Sequence, residues 1–219
     1  VNVLPQLLGG SIAGTQTICY STNPTPITNS ASPTGGNGSF TYQWKKSVNG
    51  GSSWDDIPVI ATDYFNCPAL TQTTLIKRVA TSGTSGSVES NVITITDLTP
   101  LTSGAIDASQ TISYQTSQSP FTNDTSPTGG TGSYTYLWKQ SINGGAVWTD
   151  IDNSNANYYS SGNLTVTTLF KRVATSGSCG SVESNVITIT VFSPLTGGAI
   201  AVDQTICNSS VPASFSNVS

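Results

Sequence analysis

Histidine is absent from the 219 residues, which removes the commonest general base and metal ligand at neutral pH. Serines are abundant, but no histidine is there to activate one, and no Ser-x-x-Lys stands in for it. The acids form two close pairs, Asp55-Asp56 and Asp150-x-Asp152. With Asp63 or Asp124 they would offer oxygens to calcium, which takes roughly six to eight. No Asp-x-Asp-x-Asp ladder runs through them, so they read as solvated turn residues, with calcium the alternative. The acids are too few and too scattered for a glycosidase pair. Lys45, Lys46, Lys77 and Lys171 raise an isopeptide bond, which needs a buried Lys, Asn and acid together; Glu89 and Glu183 are the acids in question. Trp54 and Trp148 sit beside Asn-Gly-Gly turns, where an indole either stacks on a sugar ring or packs on a hairpin edge. No cofactor is implied.

What must position these residues is a pattern that occurs twice. Residues 77–96 and 171–190 share the run Lys-Arg-Val-Ala-Thr-Ser-Gly-x-x-Gly-Ser-Val-Glu-Ser-Asn-Val-Ile-Thr-Ile-Thr, differing only where Thr84-Ser85 becomes Ser178-Cys179. Two β-branched runs about a Ser/Gly turn predict a β-hairpin. The register of 94 residues is kept by Gln16, Gln110 and Gln204, by Trp44 and Trp138, and by Trp54 and Trp148. It is the size of one small β-sandwich, so the chain reads as an array. Residues 1–6 are the tail of an upstream repeat, 7–100 the first complete repeat and 101–194 the second. Residues 195–219 open a third, which is expected to pack on the second as an end strand. The piece reads as excised from a longer array.

Within a repeat the predicted strands are 10–18, 25–31, 40–46, 53–57, 63–66, 74–81 and 88–96. Between them stand turn signals such as Pro33-Thr34-Gly35-Gly36 and Asn49-Gly50-Gly51. Tyr42 and Trp44, with Tyr136 and Trp138, fall on a core face by alternation, as do Ile93 and Ile95. A β-bulge near Ser90-Asn91 reconciles those isoleucines with Val88. Lys77 and Arg78 put one charge on each face of the strand 74–81 and leave its core face open. No segment has a helical period. About seven short strands per unit, with turns every 8–12 residues, predict an all-β chain of two tandem immunoglobulin-like Greek-key β-sandwiches.

The four cysteines are Cys19, Cys67, Cys179 and Cys207. Two repeat positions matter, one after Gln-Thr-Ile (19, 113, 207) and one in the hairpin turn (85, 179). Pairing inside one repeat would set Cys19 against Ser85 and Ser113 against Cys179. Pairing each turn with the following Gln-Thr-Ile site sets Ser85 against Ser113 and Cys179 against Cys207, so that both members of a bridge are kept or lost together. The expected bridge is therefore Cys179–Cys207. Cys19 then pairs with Cys67 or with an absent upstream repeat, and four free thiols are the remaining possibility. No Cys-x-x-Cys spacing suggests zinc.

Charged residues make up only 8% of the chain, the net charge is −4 and the pI is about 4.4. That excludes an electrostatic footprint for nucleic acid. No run of 18 apolar residues spans a membrane. Solubility carried by Ser, Thr, Asn and Gln suits an extracellular β protein.

Several strings occur in order: Gly-Gly-x-Ile…Gln-Thr-Ile-Cys, Ser-Pro-Thr-Gly-Gly-x-Gly-Ser-x-Thr-Tyr-x-Trp, Trp-x-Asp-Ile and Lys-Arg-Val-Ala-Thr-Ser-Gly. Together they resemble the tandem Ig/PKD-like repeats of very large cell-surface adhesins in Bacteroidetes, of which the gliding-motility adhesins are best known. The resemblance implies secretion across the outer membrane and service as a stalk or adhesive filament on the cell surface. Its expected partners are neighbouring repeats, a surface polysaccharide or another cell. The alternative is a carbohydrate-binding or spacer module of a secreted glycan-degrading enzyme. An enzyme in its own right is not expected.

Overall fold

The structure, a computed structural model, describes residues 3–58, 62–107, 109–200 and 203–218. The first unit carries β1 (Ser11–Ala13), β2 (Gln16–Ile18), β3 (Thr28–Ala31), β4 (Thr41–Ser47), β5 (Asp55–Asp56), β6 (Thr74–Thr81), β7 (Ser87–Glu89) and β8 (Ile93–Asp97). One sheet has the order β2-β8-β6-β4-β5, with β7 also on β6; β1 and β3 pair separately, and the bridge Ile27–Phe65 lies beside them. Strand β2 runs parallel to β8, whereas the other pairs are antiparallel. The single strand expected over 10–18 is two strands, because the chain changes sheet at Gly14, whose φ of +132° suits glycine. No strand forms at 63–66, where only Phe65 bridges to Ile27.

The second unit repeats the plan. Its strands are β9 (Ala105–Ile106), β10 (Gln110–Ile112), β11 (Thr116–Ser117), β12 (Asn123–Thr125), β13 (Thr135–Ser141), β14 (Thr149–Asp150), β15 (Asn163–Leu164), β16 (Thr168–Thr175), β17 (Ser181–Glu183) and β18 (Ile187–Val191). The large sheet runs β10-β18-β16-β13-β14, with β10 parallel to β18. Both units are immunoglobulin-like β-sandwiches.

The cores follow from side-chain alternation. Trp44, Ile76, Ile93 and Ile95 meet Ile12, Ile27 and Phe65; Trp138, Phe170, Ile187 and Ile189 meet Ile106 and Phe121. Each tryptophan is wholly buried, and its indole N–H donates to a backbone carbonyl, of Thr62 or of Ala156, at 3.0 Å. Such a bond removes the cost of burying the one polar atom of the ring. The opposed pairs Val79–Glu89 and Ile76–Ile93 leave one extra residue on the outer strand, which is the bulge at Ser90-Asn91. Asn91 uses it to reach across: its amide accepts from Ile12 N at 2.8 Å and donates to Ile12 O at 3.0 Å.

Residues 195–219 do not add an end strand to the second unit. Strands β19 (Ala199–Ile200) and β20 (Asn217–Val218) pair with each other, and the described residues from 192 to 217 are exposed. The pair Ile200–Asn217 repeats the register of Ile106–Asn123. Ile200, Ile206 and Phe215 stand where Ile106, Ile112 and Phe121 pack under Trp138. In sequence and strand register the segment thus repeats the first hairpin of each full unit. Its apolar side chains stay exposed, because the equivalent places in the second unit's core are taken by Ile106, Ile112 and Phe121.

Candidate functional site

The site lies where the two sandwiches meet. Because β2 runs parallel to β8, residue 19 arrives at the pole from which β8 leaves, and Leu98 N donates to Ile18 O at 3.0 Å. At the facing pole of the second unit, β16 and β17 are joined by a 3-10 turn, Gly177–Cys179. Cys179 N donates to Ser176 O at 2.9 Å and Ser176 N to Gly180 O at 3.0 Å, and Gly180 takes φ +90°. Cys19 and Cys179 meet there as a disulfide with Cα atoms 5.3 Å apart.

This overturns both expected bridges, Cys179–Cys207 and Cys19–Cys67. Cys67 is a buried free thiol and Cys207 an exposed one. The expected direction was reversed: the Gln-Thr-Ile site of one unit meets the turn of the next. Ser85 and Ser113 are then not partners of each other, since each faces outward from this pair of units.

The linker is seated by the Pro-Thr-Gly-Gly turn. Gly130 N donates to Thr99 O at 2.9 Å, and Gly36 N to Pro5 O at 2.9 Å. A Cβ on Gly129 would stand 1.9 Å from Pro100 O, and one on Gly35 the same distance from Gln6 O. Both glycines also have positive φ, +77° and +82°. The motif that reads as a turn in the sequence is also the socket for the incoming chain. Around the disulfide the interface is open. A cleft of about 460 Å³ lies on one side, lined by Thr22, Leu98, Thr131 and Ser178, and another of about 280 Å³ on the other, lined by Tyr20, Pro100, Leu101 and Val182.

Strand β6 resolves with Thr74, Ile76, Arg78 and Ala80 on the buried face, so a guanidinium enters the core. Arg78 donates to Asn29 Oδ1, to Asp63 O at 3.3 Å and to Gly9 O at 3.2 Å, and lies 4.9 Å over the Tyr42 ring. Arg172 does the same with Asn123, Asn157 O at 3.2 Å, Ser103 O at 3.2 Å and Tyr136 at 5.0 Å. Burial lowers the pKa of both arginines, partly offset by the tyrosines and, for Arg78, by Asp63. Both stay charged, as arginine does. Tyr42 and Tyr136 are half-buried and serve as covers for these cations. Tertiary packing alone showed this role; the one signal was the identical Lys-Arg pair in both repeats.

Lys77, on the opposite face, lies 4.2 Å over Trp54 and 2.7 Å from Glu89; Lys171 lies 4.4 Å over Trp148 and 2.8 Å from Glu183. One face of each half-buried indole is thus covered by an ammonium. Those lysines are held in ion pairs rather than beside an asparagine amide. Asp56 and Asp150 bond Lys45 at 2.5 Å and Lys139 at 2.6 Å across β4–β5 and β13–β14. Asp55 and Asp152 are exposed, and among the described residues no three Cys, Asp or Glu side chains converge as a metal site.

A further signal repeats three times. Gln16 grips residue 25 through both amide atoms, at 3.1 and 2.8 Å; Gln110 grips Ser119 at 3.1 and 2.9 Å; Gln204 grips Ala213 at 2.9 and 2.7 Å. On the outer surface, Pro120, Thr122, Asn123, Asn157 and Tyr158 line a groove of about 200 Å³. The same positions of the first unit hold Pro26, Thr28, Asn29, Asp63 and Tyr64.

Among solved structures, the chain is similar to the I-band fragment I67-I69 from titin. The TM-score is 0.51 at 12% identity, covering 87% of this chain and 66% of that one. A variant of those three titin domains with Glu-to-Ala mutations gives 0.52 at 12% identity over the same shares. The chain thus spans slightly under two thirds of these fragments, and the likeness is one of fold. No curated protein matches the chain. No helix of the described residues is long and apolar enough to cross a membrane. A family model matches residues 8–98 and again 102–193, so the chain belongs to the family described as Domain of unknown function (DUF8696) and carries it in tandem.

Proposed function

We propose that the chain is a non-catalytic stalk segment of a secreted bacterial cell-surface adhesin, of the kind that serves gliding motility, holding a distal binding region away from the cell. The observation that carries this reading is the junction. A disulfide and a backbone socket hold one sandwich against the next, a device suited to spacing and without use in turnover. Disulfides persist in oxidising, extracytoplasmic settings, which supports a surface location. In such an array, stability is roughly a sum over units and junctions. Small-angle X-ray scattering on the oxidised chain tests the reading. Two sandwiches in line give a rod profile that changes little with salt; a folded-back pair, side by side, overturns it.

The second reading is a carbohydrate-binding module of a glycan-degrading enzyme. The groove beside Tyr158, which is 60% exposed and flanked by the Asn123 and Asn157 amides, favours it. Glycan binding lost in Tyr158→Ala or Trp148→Ala would support that module over the stalk.

A further inference from the structure

We propose that the Cys19–Cys179 bond is a covalent load path that takes axial force off the chain between the two cysteines, which carries most of both sandwich cores, and that its reduction releases a large reserve of length. The inference rests on the stalk reading for its purpose, though not for its physics.

The argument is one of topology. A pull on the two ends of the chain travels along the backbone to Cys19. It then crosses the disulfide to Cys179 and leaves through β17 and β18. The 159 residues between the two cysteines lie in a closed loop that carries no tension. Within that loop sit β3 to β8 of the first unit and β9 to β16 of the second, including Trp44 and Trp138. Only the segments outside it, residues 1–19 and 179–219, can be drawn out while the bond holds.

Breaking the bond changes the load geometry as well as the length. Force then enters the first unit at β2 and leaves at β8, and enters the second near β10 and leaves at β18. Each of these pairs is parallel, with Gln16 opposite Ile95 and Gln110 opposite Ile189. Parallel neighbours pulled from opposite ends are sheared, so their ladder bonds resist together rather than one at a time. The reduced chain is therefore two shear clamps in series, and the oxidised chain is a bypass around them.

The bond is placed to be opened. Both cysteines are half-buried, and clefts of about 460 and 280 Å³ reach the sulfurs from two sides. A dithiol reductant delivers two electrons and two protons; the S–S bond breaks, Cys19 and Cys179 become thiols, and the reductant closes to its own disulfide.

Single-molecule stretching of the whole chain from its two ends tests this, with Cys207→Ser in every arm to prevent thiol exchange. At about 3.3–3.6 Å per extended residue, the 60 residues outside the loop limit the oxidised chain to about 220 Å of total release. Adding a dithiol should add about 520–570 Å from the 159 residues of the loop. A double variant, Cys19→Ser with Cys179→Ser, should release the long length with or without reductant. An oxidised chain that already releases the long length overturns the proposal. So does a reduced chain that gains nothing. If the double variant fails to fold, the oxidised and reduced traces of the Cys207→Ser chain decide alone. Lengths that fit while scattering shows a folded-back pair would sink the stalk reading and leave the load path standing.

Discussion

The guanidinium carbon of Arg78 stands 4.9 Å from the centre of the Tyr42 ring, inside a core that otherwise holds Trp44, Ile76 and Ile95. A buried cation is tolerated only when it is well engaged, and here the two terminal nitrogens of the guanidinium reach carbonyl oxygens on three other segments, while Nε is buried without a partner. Replacing Arg78 or Arg172 by Ala removes those donors and leaves their acceptors buried. The expected loss is about 3–5 kcal/mol for the affected domain. Lysine, with its point charge, should rescue little. Urea unfolding of each variant measures this; a loss under about 0.5 kcal/mol, the range of a neutral surface change, would show the arginine to be incidental.

The linker socket makes a second prediction. A methyl group at Gly129 meets Pro100 O at 1.9 Å on a backbone with φ +77°. Gly129→Ala should therefore shift the linker and cost about 1–3 kcal/mol of second-domain stability. Gly132→Ala is the control: its φ of +78° is similar, but no atom lies within 4 Å of the added carbon. Calorimetry on the pair separates contact from conformation. Equal losses in the two variants would mean that the socket contributes nothing.

The glutamine clasp is expected to act locally. Gln110→Ala removes two hydrogen bonds to Ser119 and should destabilise the second domain by about 1–2 kcal/mol. Gln110→Glu keeps the acceptor and loses the donor, so it should fall between. Amide hydrogen exchange at Ser119, whose N–H donates to the Gln110 side-chain oxygen at 2.9 Å, should quicken in Gln110→Ala and change little in Gln110→Glu, which keeps that acceptor.

The two free thiols should differ sharply in reactivity. Burial pushes the Cys67 thiol from 9.0 up to about 11, with Lys46 opposing weakly, whereas Cys207 is exposed. At pH 8 a disulfide reagent should label one thiol per chain at once and the second only slowly. The sign of the linkage is fixed by the raised value. Below pH 9 the thiol is protonated in both folded and unfolded chains, and its contribution is intact. Between pH 9 and about 11 the unfolded thiol ionises first, and first-domain stability falls. The second domain carries Ser161 at this position and should not begin to fall at pH 9; its own decline starts only near pH 10, where Tyr159, whose pKa burial also raises, ionises in the unfolded chain. Cys67→Ser should abolish it in the first domain as well.

Much of this molecule was legible in the chain alone. A register of 94 residues announced repeated units, and alternation placed Trp44, Trp138, Ile93 and Ile95 inside, because a pleated strand turns every second side chain to one face. The parity of Val88 against Ile93 required a bulge, and one is there. These are local consequences of backbone geometry. The disulfide was not local. Which turn a cysteine meets depends on which pole its strand ends at, and only the parallel placement of β2 on β8 carries residue 19, early in its repeat, to the far pole beside Cys179. The same holds for Arg78, whose face was undecided until Tyr42, Asn29 and Gly9 closed around it, and for Gly129, whose need for no side chain comes from a carbonyl 29 residues away in the chain. Pattern determined the elements; contacts between distant segments decided what joins them.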